Sequence, residues 1–276
     1  MDIRESRSHS RPSLPRMGSS PVAGTLETNP LHHSRYHRSN AYDPRWVFDN
    51  QMGPNALWLV ESLTEVLPLE PGMRVLDLGC GRAMTSIFLA KEFGVQVWAT
   101  DLWIGASSNQ DRIREAGSED LVVPIHAEAH QLPFANGFFD VIVSVDAYQY
   151  FGTADLYLGY ITGFLRPAGR IAIIAPALFR EFGTNVPDEL APFWDWEFCC
   201  FHGPDWWRTH WEKTGKVHVE HADAVEDGWQ DWLRFDEASA PGLDGWRKEA
   251  AANSAAMLRA DQGIHLGFSR VVATKL

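Results

Sequence analysis

The chain has 276 residues, 45% of them hydrophobic and 22% charged, which is the composition of a globular protein large enough to bury a sizeable core. Its formal net charge of −12 argues against nucleic acid or an anionic membrane surface as the main partner. The three cysteines, of which Cys199 and Cys200 are adjacent, exclude a disulfide framework and suit a reducing compartment, so a cytoplasmic location is expected.

The first 40 residues differ in composition from the rest of the chain. They contain eight serines, six arginines and three acidic residues, with no tryptophan. Such a segment buries too little apolar surface to offset the entropy lost on ordering. We therefore predict a disordered tail over 1–40 and an ordered domain over 41–276. A transit peptide is the weaker alternative, because the segment shows no amphipathic helix.

Helical periodicity and short apolar runs alternate between residues 54 and 175. The pattern predicts helices over 54–67, 82–93, 104–116 and 154–165, and strands over 74–78, 95–100, 121–125, 139–145 and 170–175. The strands are apolar almost throughout, which is typical of strands buried on both faces. This order predicts a doubly wound, mostly parallel α/β sheet.

After residue 176 the alternation gives way to a tryptophan-rich region. Here the sequence predicts helices over 205–214, 228–237 and 243–260, and strands over 216–221 and 266–275. The last two strands are expected to pair antiparallel, which completes a seven-stranded sheet with an antiparallel edge strand. Segments 176–215 and 223–262 are expected to be insertions that cover a substrate site.

A glycine-rich turn, Val75-Leu-Asp-Leu-Gly-Cys-Gly81, follows the first predicted strand. Glycines at 79 and 81 let the backbone approach a ligand closely, and the N-terminus of the next helix offers free N–H groups. Asp101 ends the second strand, where a carboxylate can accept hydrogen bonds from ribose hydroxyls. The motif therefore predicts a ligand that contains a nucleoside.

Two residues argue against a dinucleotide. Met84 stands where the dinucleotide fingerprint needs its third glycine, which disfavours a nicotinamide-dependent oxidoreductase. The charge of Asp77 would oppose a pyrophosphate but suits an ammonium group. A nucleoside that carries both an ammonium and a carboxylate is S-adenosylmethionine.

The turn resembles motif I of the class I S-adenosylmethionine-dependent methyltransferases, and further segments match this family in chain order. Ala127-Glu-Ala-His-Gln-Leu-Pro-Phe134 is similar to its acid-Ala-x-x-Leu-Pro-Phe segment, and 138–144 resembles its fourth strand. Leu165-Arg-Pro-Ala-Gly-Arg170 resembles its turn before the fifth strand, with Ala168 in place of a glycine. Met52-Gly-Pro-Asn55 and Asp101-Leu-Trp103 add a likeness to the cyclopropane-synthase-like subgroup of small-molecule enzymes.

The resemblance implies a Rossmann-like fold, S-adenosyl-L-methionine as cofactor, and methyl transfer to a small molecule through an N, O, S or C atom. A catalytically silent protein that binds the cofactor is the alternative. The residues implied in cofactor binding are Asp77, Gly79, Gly81, Asp101, Leu102, Glu128, Ala129 and Asp146. No metal is expected, because adjacent cysteines do not match the spacing of zinc sites.

The acceptor side is expected just after the fourth strand. Tyr148 and Tyr150 are predicted to wall the site, with His202 as a candidate base. The tryptophans after strands five and six are predicted to form a lid that holds an aromatic or amine-bearing acceptor by stacking or cation–π contacts. The alternative is that these rings form a small core under long loops.

Overall fold

A seven-stranded sheet forms the centre of the molecule in the computed structural model, which describes residues 29–276. Its strand order is β3-β2-β1-β4-β5-β7-β6. The strands are β1 Arg74–Leu78, β2 Gln96–Asp101, β3 Val122–His126, β4 Phe139–Val145, β5 Leu165–Leu178, β6 Val217–Ala224 and β7 Leu266–Lys275. The predicted doubly wound, mostly parallel sheet is confirmed. The last two strands pair antiparallel at one end of the sheet, as predicted; β7 is antiparallel to both of its neighbours, β5 and the edge strand β6.

Helices cover both faces of the sheet. They are α1 Pro44–Asn50, α2 Ala56–Thr64, α3 Met84–Phe93, α4 Ala106–Glu115, α5 Gln149–Gly152, α6 Tyr157–Ile161, α7 Pro204–Glu212, α8 Gly228–Ser239 and α9 Gly245–Asp261. On β4, Val141 and Val143 pack in the layer that contains α2, α3 and α8, whereas Ile142 packs in the layer of α6 and α7. This period-2 alternation makes a three-layer structure in which β4 is covered on both sides.

Local chemistry fixes several of these boundaries. The Asn55 side chain caps α2 by accepting the backbone N–H groups of Leu57 and Trp58. At the other end of its helix, Gly94 closes α3 in the left-handed conformation at φ +65°. The fifth strand starts at Leu165 instead of 170, because a register shift between Phe139 and Val141 accommodates extra residues in β5.

Residues 29–40 are ordered, so the predicted disorder is wrong for this part of the tail. Leu31 and Tyr36 are buried in the core, and the His33 Nε2 atom lies 2.8 Å from Asp231 Oδ1 of α8. Arg35 binds Glu65 just after α2, with 2.7 Å between Nη2 and Oε2. Two apolar anchors and a few polar contacts are enough to dock this strap (residues 29–43). Residues 1–28 of the predicted tail lie outside the described range.

Both edges of the sheet carry irregularities. Edge strand β3 contains Pro124, which pairs with Ala99 of β2. Edge strand β6 is interrupted by a register shift between Val219 and His221. None of the helices within residues 29–276 has the length and apolar character needed to cross a lipid bilayer.

Candidate active site

The carboxyl ends of β1, β2 and β4 open into a cavity of about 330 Å³. This volume falls in the usual range for small-molecule sites, roughly 300–1,000 Å³. The walls come from the link between α1 and α2, the turn after β1, the end of β2, the loop after β3 and the end of β4. The cavity therefore lies where doubly wound sheets bind their ligands.

The glycine turn shapes one wall of the cavity. Gly79 has φ +77°, and a Cβ atom there would lie 2.4 Å from Cβ of Ala147. Gly81 has φ +52°, and its N–H donates to Asp101 Oδ2 at 2.9 Å. Both positions thus need glycine for conformation, and Gly79 also for space. The first residues of α3, Met84 and Thr85, complete this wall.

Asp101 lines the cavity and also holds the backbone around it. Its Oδ1 accepts the N–H groups of Trp103 and Ile104, at 2.7 and 2.9 Å, in addition to the bond from Gly81. An ionised carboxylate has about four acceptor positions, so three bonds leave room for a ligand hydroxyl. Asp101 thus lies at the end of β2, as the sequence predicts. Its second role, holding the backbone by hydrogen bonds, was not indicated by the sequence.

Asp77 does not line the cavity, which corrects its predicted role. It is fully buried, and its Oδ2 accepts the hydroxyls of Thr85 and Ser86, both at 2.6 Å. Burial raises the pKa of Asp77 to about 6. The side chain ties β1 to the first turn of α3 beneath the glycine turn, and no direct contact with an ammonium group follows from this position.

Leu102, Glu128 and Ala129 also line the cavity. The exposed Glu128 carboxylate accepts the backbone N–H of His130 and lies 2.7 Å from its Nδ1. This bond with His130 lowers the pKa of Glu128. The carboxylate is thus held in place at the mouth of the cavity.

Asp146 brings an uncompensated carboxyl group to the cavity. It has a left-handed backbone at φ +52°, and Gln149 Nε2 is its one side-chain donor, at 3.3 Å. Burial and the charge of Asp236 raise the pKa of Asp146 to about 7. Within residues 29–276, no basic side chain forms an ion pair with it. The group is therefore available to a cationic ligand.

An aromatic pair stands at the mouth of the cavity. The rings of Trp103 and Tyr150 lie 6.5 Å apart at 52°, and their exposed fractions are 75% and 52%. Both line the cavity. Tyr150 is therefore placed as predicted, whereas Trp103 was noted only as part of the family resemblance.

The other two predicted catalytic residues lie elsewhere. Tyr148 is fully buried against Trp207 and Trp211, with 5.6 Å between its ring centre and each of theirs. His202 stacks on Trp206 at 3.6 Å and approaches Glu181 through Nδ1 at 2.8 Å. Neither residue lines the cavity, so their predicted roles are corrected to packing.

The predicted tryptophan lid is not formed. None of Trp194, Trp196, Trp206, Trp207, Trp229 and Trp232 lines the cavity. Trp207 belongs to the core beneath α7, and Trp232 packs on Phe268 of β7, with 5.1 Å between ring centres. The packing alternative describes Trp207 and Trp232, which are buried, whereas Trp196 is exposed.

The link between α1 and α2 was missed as a cavity wall. Asn50, Met52, Gly53 and Pro54 all line the cavity. A Cβ atom on Gly53 would lie 2.7 Å from Oδ2 of Asp146, so this link lies directly against the end of β4. The one signal for it in the sequence is the Met52-Gly-Pro-Asn55 resemblance. Within residues 29–276, no group of three or more metal-ligating side chains is arranged to hold a metal ion.

Comparison with known proteins agrees with this geometry. Residues 75–169 match the model of the methyltransferase domain family. The methyltransferase GfsG of Streptomyces halstedii is 34% identical over 120 residues, which cover 42% of each chain. The glycine/sarcosine/dimethylglycine N-methyltransferase of Actinopolyspora halophila is 25% identical over 60% of this chain and 29% of its own. The chain thus spans less than half the length of these curated relatives.

Solved structures share the fold at low sequence identity. A phosphoethanolamine N-methyltransferase of Haemonchus contortus superposes with a TM-score of 0.67 at 17% identity, over 88% of this chain and 58% of its own. The [4+2]-cyclase SpnF superposes with a TM-score of 0.64 at 20% identity, over 79% and 80%. The family match over residues 75–169 and this fold agree with the methyltransferase family that the sequence motifs resemble.

Proposed function

We propose that the chain is an S-adenosylmethionine-dependent methyltransferase that acts on a small molecule. The observation that carries this proposal is the glycine-walled cavity at the carboxyl ends of β1, β2 and β4, with the Asp101 carboxylate on its surface. The motif I turn, the adenine-side segment and the family match over 75–169 support the same assignment. Because its relatives are matched over part of their length only, the activity of the whole chain is a proposal.

The residues of the cavity fit this cofactor. Gly79 and Gly81 leave the backbone open to the amino-acid part, and the remaining lone pair of Asp101 suits a ribose hydroxyl. Glu128 and Ala129 stand at the adenine end. When bound, the cofactor supplies a methyl group on a positively charged sulfur for in-line displacement. The protein then has to position the acceptor and exclude water.

We infer that the acceptor carries an amine. Asp146 presents a carboxyl without a basic partner in the described chain, beside the aromatic rings of Trp103 and Tyr150. A cationic amine would gain from both, through charge pairing and cation–π contacts. The names of two relatives point the same way, since one methylates glycine, sarcosine and dimethylglycine and the other phosphoethanolamine.

The segment after β5 is our candidate for a lid, although its tryptophans do not line the cavity. Glu197 of this segment is one of the charges that, together with burial and Asp146, raise the pKa of Tyr150, which supports a position of the segment near the cavity mouth. The predicted insertion at 223–262 has a different role in this proposal. Phe235 of α8 stacks on Phe48 of α1, so the insertion supports the cavity wall from behind.

A cytoplasmic location also stays a proposal. Cys80 is buried, and Cys199 and Cys200 are free thiols at the surface, as suits a reducing compartment. The net charge of −12 supports a small molecule, and not nucleic acid, as the acceptor.

Two measurements test the proposed function. Calorimetry is expected to show binding of S-adenosylhomocysteine in the micromolar range, about −8 kcal/mol, and no comparable binding of NAD. Incubation with labelled methyl donor and separate pools of amines, phenols and thiols is then expected to transfer label into the amine pool. Tight binding of NAD alone would refute the cofactor assignment. Label that enters only phenols or thiols would refute the amine, and binding without turnover would favour the silent alternative.

A further inference from the structure

Three arginines from three different elements converge on the end of α1, beside the cavity. Arg82 precedes α3, and its Nη1 donates to the carbonyl of Asp49 at 2.6 Å. Arg112 of α4 donates from Nε to Oδ1 of Asn50 at 3.0 Å. The third cation is Arg247 of α9. Its Nη2 donates to the carbonyl of Gln51 at 2.9 Å, so the three cations contact three consecutive residues.

The positive charge of this arginine triad (Arg82, Arg112 and Arg247) is not balanced by ion pairs. Within residues 29–276, none of the three lies within 4.0 Å of a carboxylate oxygen, although ten other arginine–carboxylate pairs are present. Burial and the charges of the other two arginines lower the pKa of Arg82. Like charges are thus held together at a half-buried place in a protein of net charge −12.

Capping of α1 alone does not require this arrangement. The carboxyl end of a helix carries the equivalent of about half a negative charge, which a single cation satisfies. Arg82 uses one of its five donors on the helix, and its buried Nε has no hydrogen-bond partner among residues 29–276. Unused donors and excess charge therefore remain at a residue that itself lines the cavity.

The triad lies near the carboxyl group that we assign to the amine. Asn50 and Gln51 are held by the triad, and Gly53 of the same link lies against Asp146. Three residues of extended chain span at most about 11 Å, so the backbone positions that contact the triad and Asp146 lie close together on one link. The single negative charge of a carboxylate, such as that of the cofactor, is neutralised by one guanidinium group. Three guanidinium groups suit an anion with more negative charge.

We propose that the arginine triad is an anion subsite for a phosphate group of the acceptor, whose amine lies at Asp146. The acceptor is then zwitterionic, with a cationic and an anionic end on the two sides of the α1–α2 link. This proposal rests on the proposed methyltransferase function and narrows its substrate class.

The test measures inorganic phosphate binding by calorimetry to protein saturated with S-adenosylhomocysteine. The variant Arg247→Gln removes one charge from a residue outside the cavity lining and keeps an amide that can donate to Gln51. Arg259→Gln is the matched control, because it lies on the same helix and pairs with the exposed Glu237. We expect millimolar phosphate binding that weakens at least fivefold in Arg247→Gln and is unchanged in Arg259→Gln.

A second arm separates the acceptor from the cofactor. Affinities for S-adenosylhomocysteine and for 5′-methylthioadenosine, which lacks the amino-acid part, are compared in the same proteins. We expect both to stay within twofold of the wild type. A tenfold loss for S-adenosylhomocysteine alone would assign the triad to the cofactor's carboxylate and overturn the proposal. Absent phosphate binding, or binding indifferent to Arg247→Gln, would also overturn it. If the wild type binds no S-adenosylhomocysteine, the proposed function fails instead, while phosphate binding to the free protein still reports on the triad.

Discussion

Asp101 combines a place in the cavity lining with the shaping of the backbone around the cavity. Its carboxylate holds three backbone N–H groups, from Gly81, Trp103 and Ile104, and still borders the cavity. Glu128 faces solvent and is engaged with its neighbour His130. The two acids predicted to bind the nucleoside therefore differ in how much of the site depends on them.

We expect Asp101→Ala to weaken S-adenosylhomocysteine binding more than Glu128→Ala does. A charge-assisted hydrogen bond contributes roughly 1.5–3 kcal/mol, and the alanine at 101 also releases the three N–H groups. Calorimetry gives the affinities, and thermal denaturation reports the added loss of stability at 101. Equal losses of affinity in the two folded variants would show that the ribose lies elsewhere.

Asp146 makes stability depend on pH. Burial holds its pKa near 7, above the ordinary 3.8, so the folded state favours the protonated form. The contribution of Asp146 to the free energy of unfolding is therefore fully present below pH 3.8 and is lost as the pH rises through about 7. As the pH rises through this window, we expect Asp146→Asn to become more stable than the wild type by on the order of 1–2 kcal/mol. Each pKa unit is worth about 1.4 kcal/mol, and the contact of Asp146 with the open cavity reduces the effect.

Urea denaturation of the ligand-free protein at several pH values measures this difference. The exposed Glu119→Gln serves as the control for a lost carboxylate. Asp236 is buried as well and interacts with Asp146, so the difference between the two proteins reports the titration of Asp146 together with its coupling to Asp236. Parallel curves for the wild type and Asp146→Asn would contradict the assignment.

Sequence motifs located the residues that surround the cofactor cavity better than those that face the acceptor. The glycines and Asp101 are fixed by a local turn, so their spacing alone places them. Tyr148 and Tyr150 are two residues apart, which in a strand would put both on one face. Instead, Tyr148 has helical angles of φ −60° and ψ −29° at the start of α5, and its ring turns into the core.

At the scale of elements, the strap of residues 29–43 shows how little apolar surface is needed to dock a polar segment. Composition predicted disorder to residue 40, because it averages over a stretch in which Leu31 and Tyr36 are rare anchors. Helix α1 was missed for a similar reason, since seven residues are too few to show a period. The strands β1, β4 and β7 were predicted to the residue, because apolar runs flanked by turns are unambiguous.

Removal of residues 1–40 is therefore expected to destabilise the protein, whereas removal of 1–28 is expected to leave the melting temperature unchanged. Burial of Leu31 and Tyr36 contributes roughly 1.5–3 kcal/mol each, and the contacts to Asp231 and Glu65 add to it. Differential scanning calorimetry of the two truncated chains measures the effect. The same melting temperature in both would mean that the strap contributes nothing.

Two tryptophan variants, one at Trp207 of α7 and one at Trp103 in the loop after β2, distinguish a role in packing from a role in binding. Trp207→Ala is expected to cost about 3–5 kcal/mol of stability, because the ring is fully buried, with little change in cofactor affinity. Trp103→Ala, at an exposed ring, is expected to leave stability within about 0.5 kcal/mol and to reduce methyl transfer. Denaturation and single-turnover assays distinguish the two variants, and the reverse pattern would restore the predicted tryptophan lid.

At the scale of the whole molecule, the residues matched by the family model and the residues of the proposed acceptor site lie largely in different parts of the chain. The family match ends at residue 169, whereas the α1–α2 link, the segment after β5 and Arg247 all lie outside it. Sequence patterns therefore predict the parallel strands β1 to β4 and the cofactor, which depend mainly on the matched part. The acceptor site depends on long-range packing, such as α9 against the end of α1, that no local pattern encodes.

The two irregular edge strands affect how the protein aggregates at high concentration. Pro124 in β3 removes an N–H from one rim of the sheet, while the offset in β6, flanked by the exposed His218 and Glu220, breaks the other rim. Neither rim offers a flat row of donors and acceptors to a neighbouring copy. A partly heated or crowded solution of this protein should therefore resist growth into stacked, amyloid-like ribbons even where its apolar interior becomes exposed.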